Sequence, residues 1–151
     1  MRRVPPSLDL PRKLWQWLDD ALFGGAGTMP KSKLQVGYDA EDLAAGYLKA
    51  KGYVIVERNL RIGKGELDIV AEHDGMLVIV EVKSGRRNDA FLPRERVDRA
   101  KQQQLVKLTE AYRKQQRLLA QGVRIDVVEV VYNEGAPQIE HFQAAVRERP
   151  H

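Results

Sequence analysis

Residues 65–83 read GELDIVAEHDGMLVIVEVK, two runs rich in β-branched residues that meet at Asp74-Gly75. Asp-Gly supplies the two positive-φ positions of a tight hairpin turn. The stretch therefore predicts a strand over Glu66–Glu72, a turn over His73–Met76 and a second strand over Leu77–Lys83. A two-residue turn at Asp74-Gly75 sets Asp68 opposite Glu81 and Glu66 opposite Lys83. Side chains alternate along a strand, so Glu66, Asp68, Glu81 and Lys83 share one face. Leu67, Ile69, Ala71, Val78, Val80 and Val82 share the other, which is wholly apolar and predicts core. A slip of one residue would break this agreement between turn and pattern.

Two carboxylates facing one another across a strand pair cost some tenths of a kcal/mol, up to about 1. Such an arrangement calls for positive charge nearby. Lys83 supplies one, and a hard divalent cation, held by one or two carboxylates plus water and phosphate oxygens, supplies another. The chemistry that fits is phosphodiester hydrolysis, with a metal and an ammonium countering the charge of the reacting phosphate. The rival reading is a solvated strand face on which Glu66 and Lys83 make an ordinary cross-strand pair. For a lone Glu-x-Lys that rival is the commoner case; the opposed Asp68 and the apolar far face favour the functional one.

Outward from the hairpin, apolar residues at Val36, Ala40, Leu43, Ala44 and Tyr47 form one stripe of a helix from Val36 to Lys51, stopped by Gly52. Tyr53–Arg61 reads as a strand, turning at Gly63-Lys64-Gly65. Ser84–Leu92 is polar, basic and expected to be mobile. Pro93 is expected to open a helix running to about Leu119, with Val97, Ala100, Leu105, Leu108, Ala111 and Tyr112 inward. Val123–Tyr132 and Gln138–Phe142 read as strands around a turn. The order helix, three strands, helix, two strands predicts an α/β domain over 34–151, a meander followed by a helical crossover into a mixed sheet. Residues 1–33 read as an appendage with a short amphipathic helix bearing Trp15 and Trp17.

The chain has no cysteine and only three histidines, which argues against disulfides and zinc and leaves oxygen atoms to hold any metal. Its 25 bases and 21 acids give a net charge of +4, compatible with a polyanionic partner but equally with a solvated surface. No apolar run reaches the ~20 residues that span a bilayer, and prolines and charges interrupt the N-terminal segment, so a cytoplasmic protein without membrane contact is expected. Arg86 and Arg87 follow the hairpin closely enough to contact phosphates, with Arg94, Arg96, Arg99 and Lys101 beyond them. His73 and His141 read as a turn residue and a strand-end residue without functional weight.

Gly65-Glu66-Leu67-Asp68 followed by Val80-Glu81-Val82-Lys83 resembles the PD-(D/E)xK nuclease signature. With Gly37, Glu41, Gly52-Tyr53, Arg58-Asn59, Lys101 and Arg124-Ile125-Asp126, the wider pattern from Val36 to Phe142 resembles the YraN family of bacterial proteins. The resemblance implies a three-layer restriction-endonuclease-like fold, a mixed central sheet flanked by helices, similar to archaeal Holliday-junction resolvases. It implies Asp68, Glu81 and Lys83 as the core site with Glu41 as a fourth acidic member. The residues themselves give Asp68 and Glu81 as the expected ligands of Mg²⁺ or Mn²⁺ and Arg86, Arg87 and Lys101 as the expected contacts to nucleic acid, DNA more than RNA. On the helical wheel alone, Glu41 and Asp39 border the apolar stripe on opposite sides, and the resemblance selects Glu41. One departure stands out: YraN-like sequences tend to place an arginine two positions after the motif lysine, where this chain has Gly85, followed by Arg86 and Arg87. Cutting a branched junction takes two active sites, hence a homodimer, for which the sequence carries no separate signature. The expected function is a metal-dependent endonuclease acting on DNA, including branched DNA; the alternatives are a non-cutting nucleic-acid-binding module of the same fold and a protein-interaction factor.

Overall fold

The computed structural model describes residues 33–86, 97–132 and 136–147. The expected N-terminal helix with Trp15 and Trp17 lies outside them, as do Arg87, Pro93, Arg94 and Arg96. Helix α1, Lys33–Ala50, buries Ala40, Leu43, Ala44 and Leu48 at the spacing of one helical face. It stops at Gly52, which takes φ +90, a conformation open to glycine, while the Tyr53 N–H returns to the Leu48 carbonyl at 3.0 Å.

Strands β1 (Val54–Ile62), β2 (Gly65–His73) and β3 (Met76–Arg86) form an antiparallel meander. The β2–β3 turn is the expected one, with Asp74 and Gly75 at φ 50 and 74. Helix α2, Arg99–Gln115, crosses over to β4 (Val123–Tyr132), which pairs in parallel with β3, and β5 (Gln138–Val146) returns antiparallel along β4. The sheet order is β1-β2-β3-β4-β5, the mixed sheet that the element order predicts. Among the described residues no helix is long and apolar enough to cross a membrane.

Several boundaries differ from expectation, each for a local reason. Helix α2 starts at Arg99 instead of Pro93, because extended Asp98 caps it, its carboxylate accepting the Lys101 N–H at 2.8 Å. Ala100 is consequently exposed instead of inward. Strand β3 absorbs Ser84, Gly85 and Arg86 from the stretch expected to be mobile, since β4 offers Val130, Val131 and Tyr132 as partners.

Both sheet faces are covered. Ala44, Ala45 and Leu48 of α1 pack on Ile69, Ala71, Val78, Val80 and Val128. Leu105, Leu108 and Tyr112 of α2 pack on Leu67, Val70, Leu77, Ile79, Ile125 and Val127. Three layers result, and the hairpin is apolar on both faces where the sequence reading had assigned one. Gly65 lets α2 approach: a Cβ there would meet Leu108 Cδ1 at 2.7 Å.

Candidate functional site

The β2–β3 ladder has the register the turn sets, from His73↔Met76 to Ile69↔Val80, and there it ends. Asp68 is therefore not a ladder partner of Glu81, nor Glu66 of Lys83, as strict alternation had required. Ile69 and Ala71 face α1 and Val70 faces α2, so continued alternation would send Leu67 toward α1. Leu67 instead packs with Leu105 and Leu108 of α2, and Glu66 and Asp68 fall on the side of α1. The alternation thus reverses between Asp68 and Ile69. Strand β1 bends at the same level: Asn59, between the residues that pair with Ile69 and Leu67, has φ 50. That left-handed conformation disfavours most side chains and is tolerated by asparagine.

The reversal assembles the acids. One carboxylate oxygen from each of Glu41, Glu66 and Asp68 lies within 4.8 Å of the others, a group that could hold a metal ion. Asp68 Oδ2 also accepts the Val82 N–H at 2.9 Å, occupying a backbone donor of β3 beyond the end of the ladder. Burial, then the charge of Glu81, raises the Asp68 pKa to about 7; the Val82 hydrogen bond and the ammonium of Lys101 oppose the rise, and Glu41 adds to it. Burial also raises Glu41, against a hydrogen bond from Asn59 and the charge of Arg58. Arg58 is paired with Asp42 at 2.6 Å, and Arg61 stands 3.7 Å from Glu66.

Glu81 is 3% exposed. Its Oε1 lies 3.2 Å from Lys83 Nζ and 3.3 Å from Lys101 Nζ, whereas its buried Oε2 has no hydrogen-bond partner. A buried carboxylate oxygen is costly unless a cation, a proton or a water completes it. In the sheet Lys83 neighbours Glu129, an acid that is 2% exposed. Glu41, Asp68, Glu81, Lys83 and Lys101 thus form one neighbourhood, with Lys101 among the acids. Arg86 ends β3, and Arg87 is outside the described residues.

The sequence reading missed Glu66 as a member of the acidic group, having paired it with Lys83. It also passed over Glu129, although an acid within Val127-Val128-Glu129-Val130 is a legible sign of a charged site inside a buried strand. His141 has a structural role that its position had not revealed. Its Nε2 lies 2.7 Å from Oδ2 of fully buried Asp126, which also accepts hydrogen bonds from Arg124 and from the Ala144 N–H. Arg124 in turn donates to the Tyr53 hydroxyl, and the Tyr53 ring stacks on His73 at 3.9 Å. Burial pushes Asp126 up, but the hydrogen bonds from His141, Arg124 and Ala144 outweigh it and hold the carboxyl below its ordinary value.

Residues 40–130 match the model of the uncharacterised protein family UPF0102. A UPF0102 protein of Syntrophotalea carbinolica is 41% identical over 117 residues, 78% of this chain and 95% of that one. Another, from Pseudothermotoga lettingae, is 45% identical over 105 residues, covering 70% and 92% of the two chains. A third, from Clostridium beijerinckii, is 38% identical over 121 residues, 79% and 98% of the chains. Among solved structures, Pyrococcus furiosus SfsA in complex with Ca²⁺ aligns at a TM-score of 0.35 and 16% identity, over 70% of this chain and 63% of that one, a likeness too distant to support an argument.

Proposed function

The chain belongs to the uncharacterised protein family UPF0102, and from the carboxylates gathered where its hairpin splits we propose that it is a Mg²⁺- or Mn²⁺-dependent nuclease hydrolysing phosphodiester bonds of DNA. The observation that carries this reading is the bare, buried Oε2 of Glu81 beside Asp68, whose own carboxyl is pushed up to about 7. Both features describe a site short of positive charge. An all-oxygen donor set suits a hard cation, and the chain has no cysteine to offer a softer one.

Asp68 and Glu81 are the ligands in this reading, with Glu41 and Glu66 adding carboxylate oxygens on the α1 side. A cation there supplies Lewis-acid charge to the phosphate being cleaved. Asp68 stays fixed by the Val82 N–H, and Asn59 and Arg58 restrain Glu41. Lys83, its side chain 27% exposed beside the buried Glu81, can turn toward a phosphate oxygen or the attacking water and stabilise charge developing there. Arg86, at the end of β3, and Arg87, next in the sequence, are the proposed contacts to the flanking phosphates.

The test is calorimetric titration of Mg²⁺ and Mn²⁺ into wild type and Glu81→Gln, with cleavage of linear and branched DNA followed in parallel. Wild type should bind a cation, and Glu81→Gln should bind it at least ~10-fold more weakly, since losing even an outer partner of a metal ligand costs ~10-fold or more. Equal binding by the two proteins would sink the proposal.

A further inference from the structure

We propose that Lys101 is a positioning residue of this site: its ammonium holds Oε1 of Glu81, which keeps Oε2 turned to the cation and leaves Lys83 free for the phosphate. The inference rests on the nuclease reading and assigns a task to a lysine that the sequence had placed among phosphate contacts.

Two ammoniums converge on a single oxygen, Lys83 at 3.2 Å and Lys101 at 3.3 Å from Glu81 Oε1. They come from different elements. Lys83 is two residues along the same strand as Glu81, while Lys101 belongs to the first turn of α2. The backbone of that turn is pinned: the Lys101 N–H is the one capped by Asp98, and Gln102 donates to the Val97 carbonyl at 2.8 Å. Leu105 and Leu108, one and two turns further on, are buried in the α2 layer and fix the rotation of the helix. The Lys101 ammonium is thus delivered to Glu81 by a rigid support, which is what makes an outer partner able to orient a metal-binding carboxylate. Its side chain is 30% exposed against 4% for Glu81, so the pair lies at the edge of the buried zone, open to the site but not to bulk water on all sides.

The division of labour follows from charge. A buried carboxylate needs a partner on each oxygen, and a carboxylate bound only by Lys83 would tie up the ammonium best placed to meet a phosphate. With Lys101 on Oε1, Glu81 remains oriented and partly neutralised when Lys83 swings away. A phosphate contact at Lys101 predicts something different, because that ammonium would leave Glu81 and meet the nucleic acid.

The experiment compares full-length wild type, Lys101→Met and Lys101→Arg in Mn²⁺ affinity by calorimetry, in DNA affinity across a salt series with chelator present, and in kcat and KM for cleavage. A positioning role predicts Mn²⁺ binding weaker by ~10- to 100-fold in Lys101→Met, the range for outer partners of metal ligands. It also predicts a lower kcat at unchanged KM, an unchanged salt slope, and recovery of most of the Mn²⁺ affinity in Lys101→Arg. Unchanged Mn²⁺ affinity together with a salt slope shallower by about 1 would make Lys101 a phosphate contact and overturn the inference. Tighter Mn²⁺ binding would make it a competitor of the metal and overturn it equally. Wild type that takes up no Mn²⁺ removes the nuclease reading and this inference with it, whereas failure of the Lys101 variants to differ from a metal-binding wild type removes this inference alone. Circular dichroism checks folding, and Lys101→Gln serves if Lys101→Met does not fold.

Discussion

Replacing Asp68 by asparagine should make the metal-free protein more stable, not less. The carboxyl is held near pH 7 chiefly by burial and the neighbouring Glu81, so ionising it in the folded state is opposed. A rise from 3.8 to about 7 corresponds, at about 1.36 kcal/mol per pH unit, to about 4 kcal/mol. That is the ceiling on the cost of the charge. Relaxation and partial hydration reduce it, and on the order of 2 kcal/mol is expected at alkaline pH. Asparagine keeps the shape: its carbonyl oxygen can accept the Val82 N–H, and Glu41 and Glu66 are near enough to accept from its amide.

The pH dependence has a definite sign. A carboxyl with a raised folded-state pKa costs nothing below its unfolded value, and the cost grows as pH rises from about 4 to about 7, then stays level. The gain from Asp68→Asn should therefore vanish near pH 4 and be full near pH 8. Urea unfolding with chelator reads it directly: with a slope of 1–3 kcal/mol/M for a small domain, the midpoint should rise by about 1 M near pH 8. Adding Mg²⁺ should stabilise wild type through native-state binding and leave Asp68→Asn unmoved. A mutant less stable than wild type near pH 8 in chelator, or a difference independent of pH, would refute the account of Asp68 as a strained, charge-deficient ligand.

Three further outcomes are expected. Lys83→Ala should bind DNA nearly as well as wild type and fail to cut it, because one ammonium is a small part of a multi-phosphate contact; parallel loss of binding and cutting, measured by anisotropy and cleavage assays, would assign Lys83 to binding instead. Joint replacement Arg86→Ala with Arg87→Ala should make the salt slope of DNA binding shallower by about 2, and an unchanged slope would move the contact elsewhere. Asp126→Asn should lower stability by about 2 kcal/mol near neutral pH, as loss of the charge leaves half-buried Arg124 beside a weaker acceptor. Since its pKa is lowered, the Asp126 contribution is present above the ordinary carboxylate range and lost as pH falls through the depressed value, so the deficit of the mutant should shrink in acid.

Much of the fold was readable because local signals agreed. Asp74-Gly75 fixed the turn and hence the register down to Ile69↔Val80, and β4 has the bounds its β-branched run predicts. Helix α2 was read too long because the apolar spacing continues through Val97, while the capping aspartate one residue later was not weighed as a start signal. The placement of Lys101 was hidden for a related reason: a helical wheel ranks faces by hydropathy, and a lysine at the edge of the apolar stripe looks solvated until the helix start and crossover direction are known.

The sequence named Glu41, Asp68 and Glu81 but not the geometry that gathers Glu41 and Asp68 with Glu66, and the cause lies in one assumption. Strict two-residue alternation holds while both neighbours of a strand continue their ladders. At Asp68 the β3 ladder has ended, the Val82 N–H has been taken by the Asp68 side chain, and β1 passes through a left-handed residue at Asn59. Freed on one side and bent on the other, β2 reverses which side chains face α1. Glu66 and Asp68 then meet Glu41 where the regular pleat would have directed Leu67. Asn59, an asparagine inside strand β1 at the level where the β2–β3 ladder has just ended, is the sequence feature that goes with this reversal. The same break brings Glu66 and Asp68 to Glu41, so a change that restored regular pairing here, by removing the Asp68 acceptor and the Asn59 bend together, should disperse the acidic group and turn Leu67 out of the α2 layer toward α1.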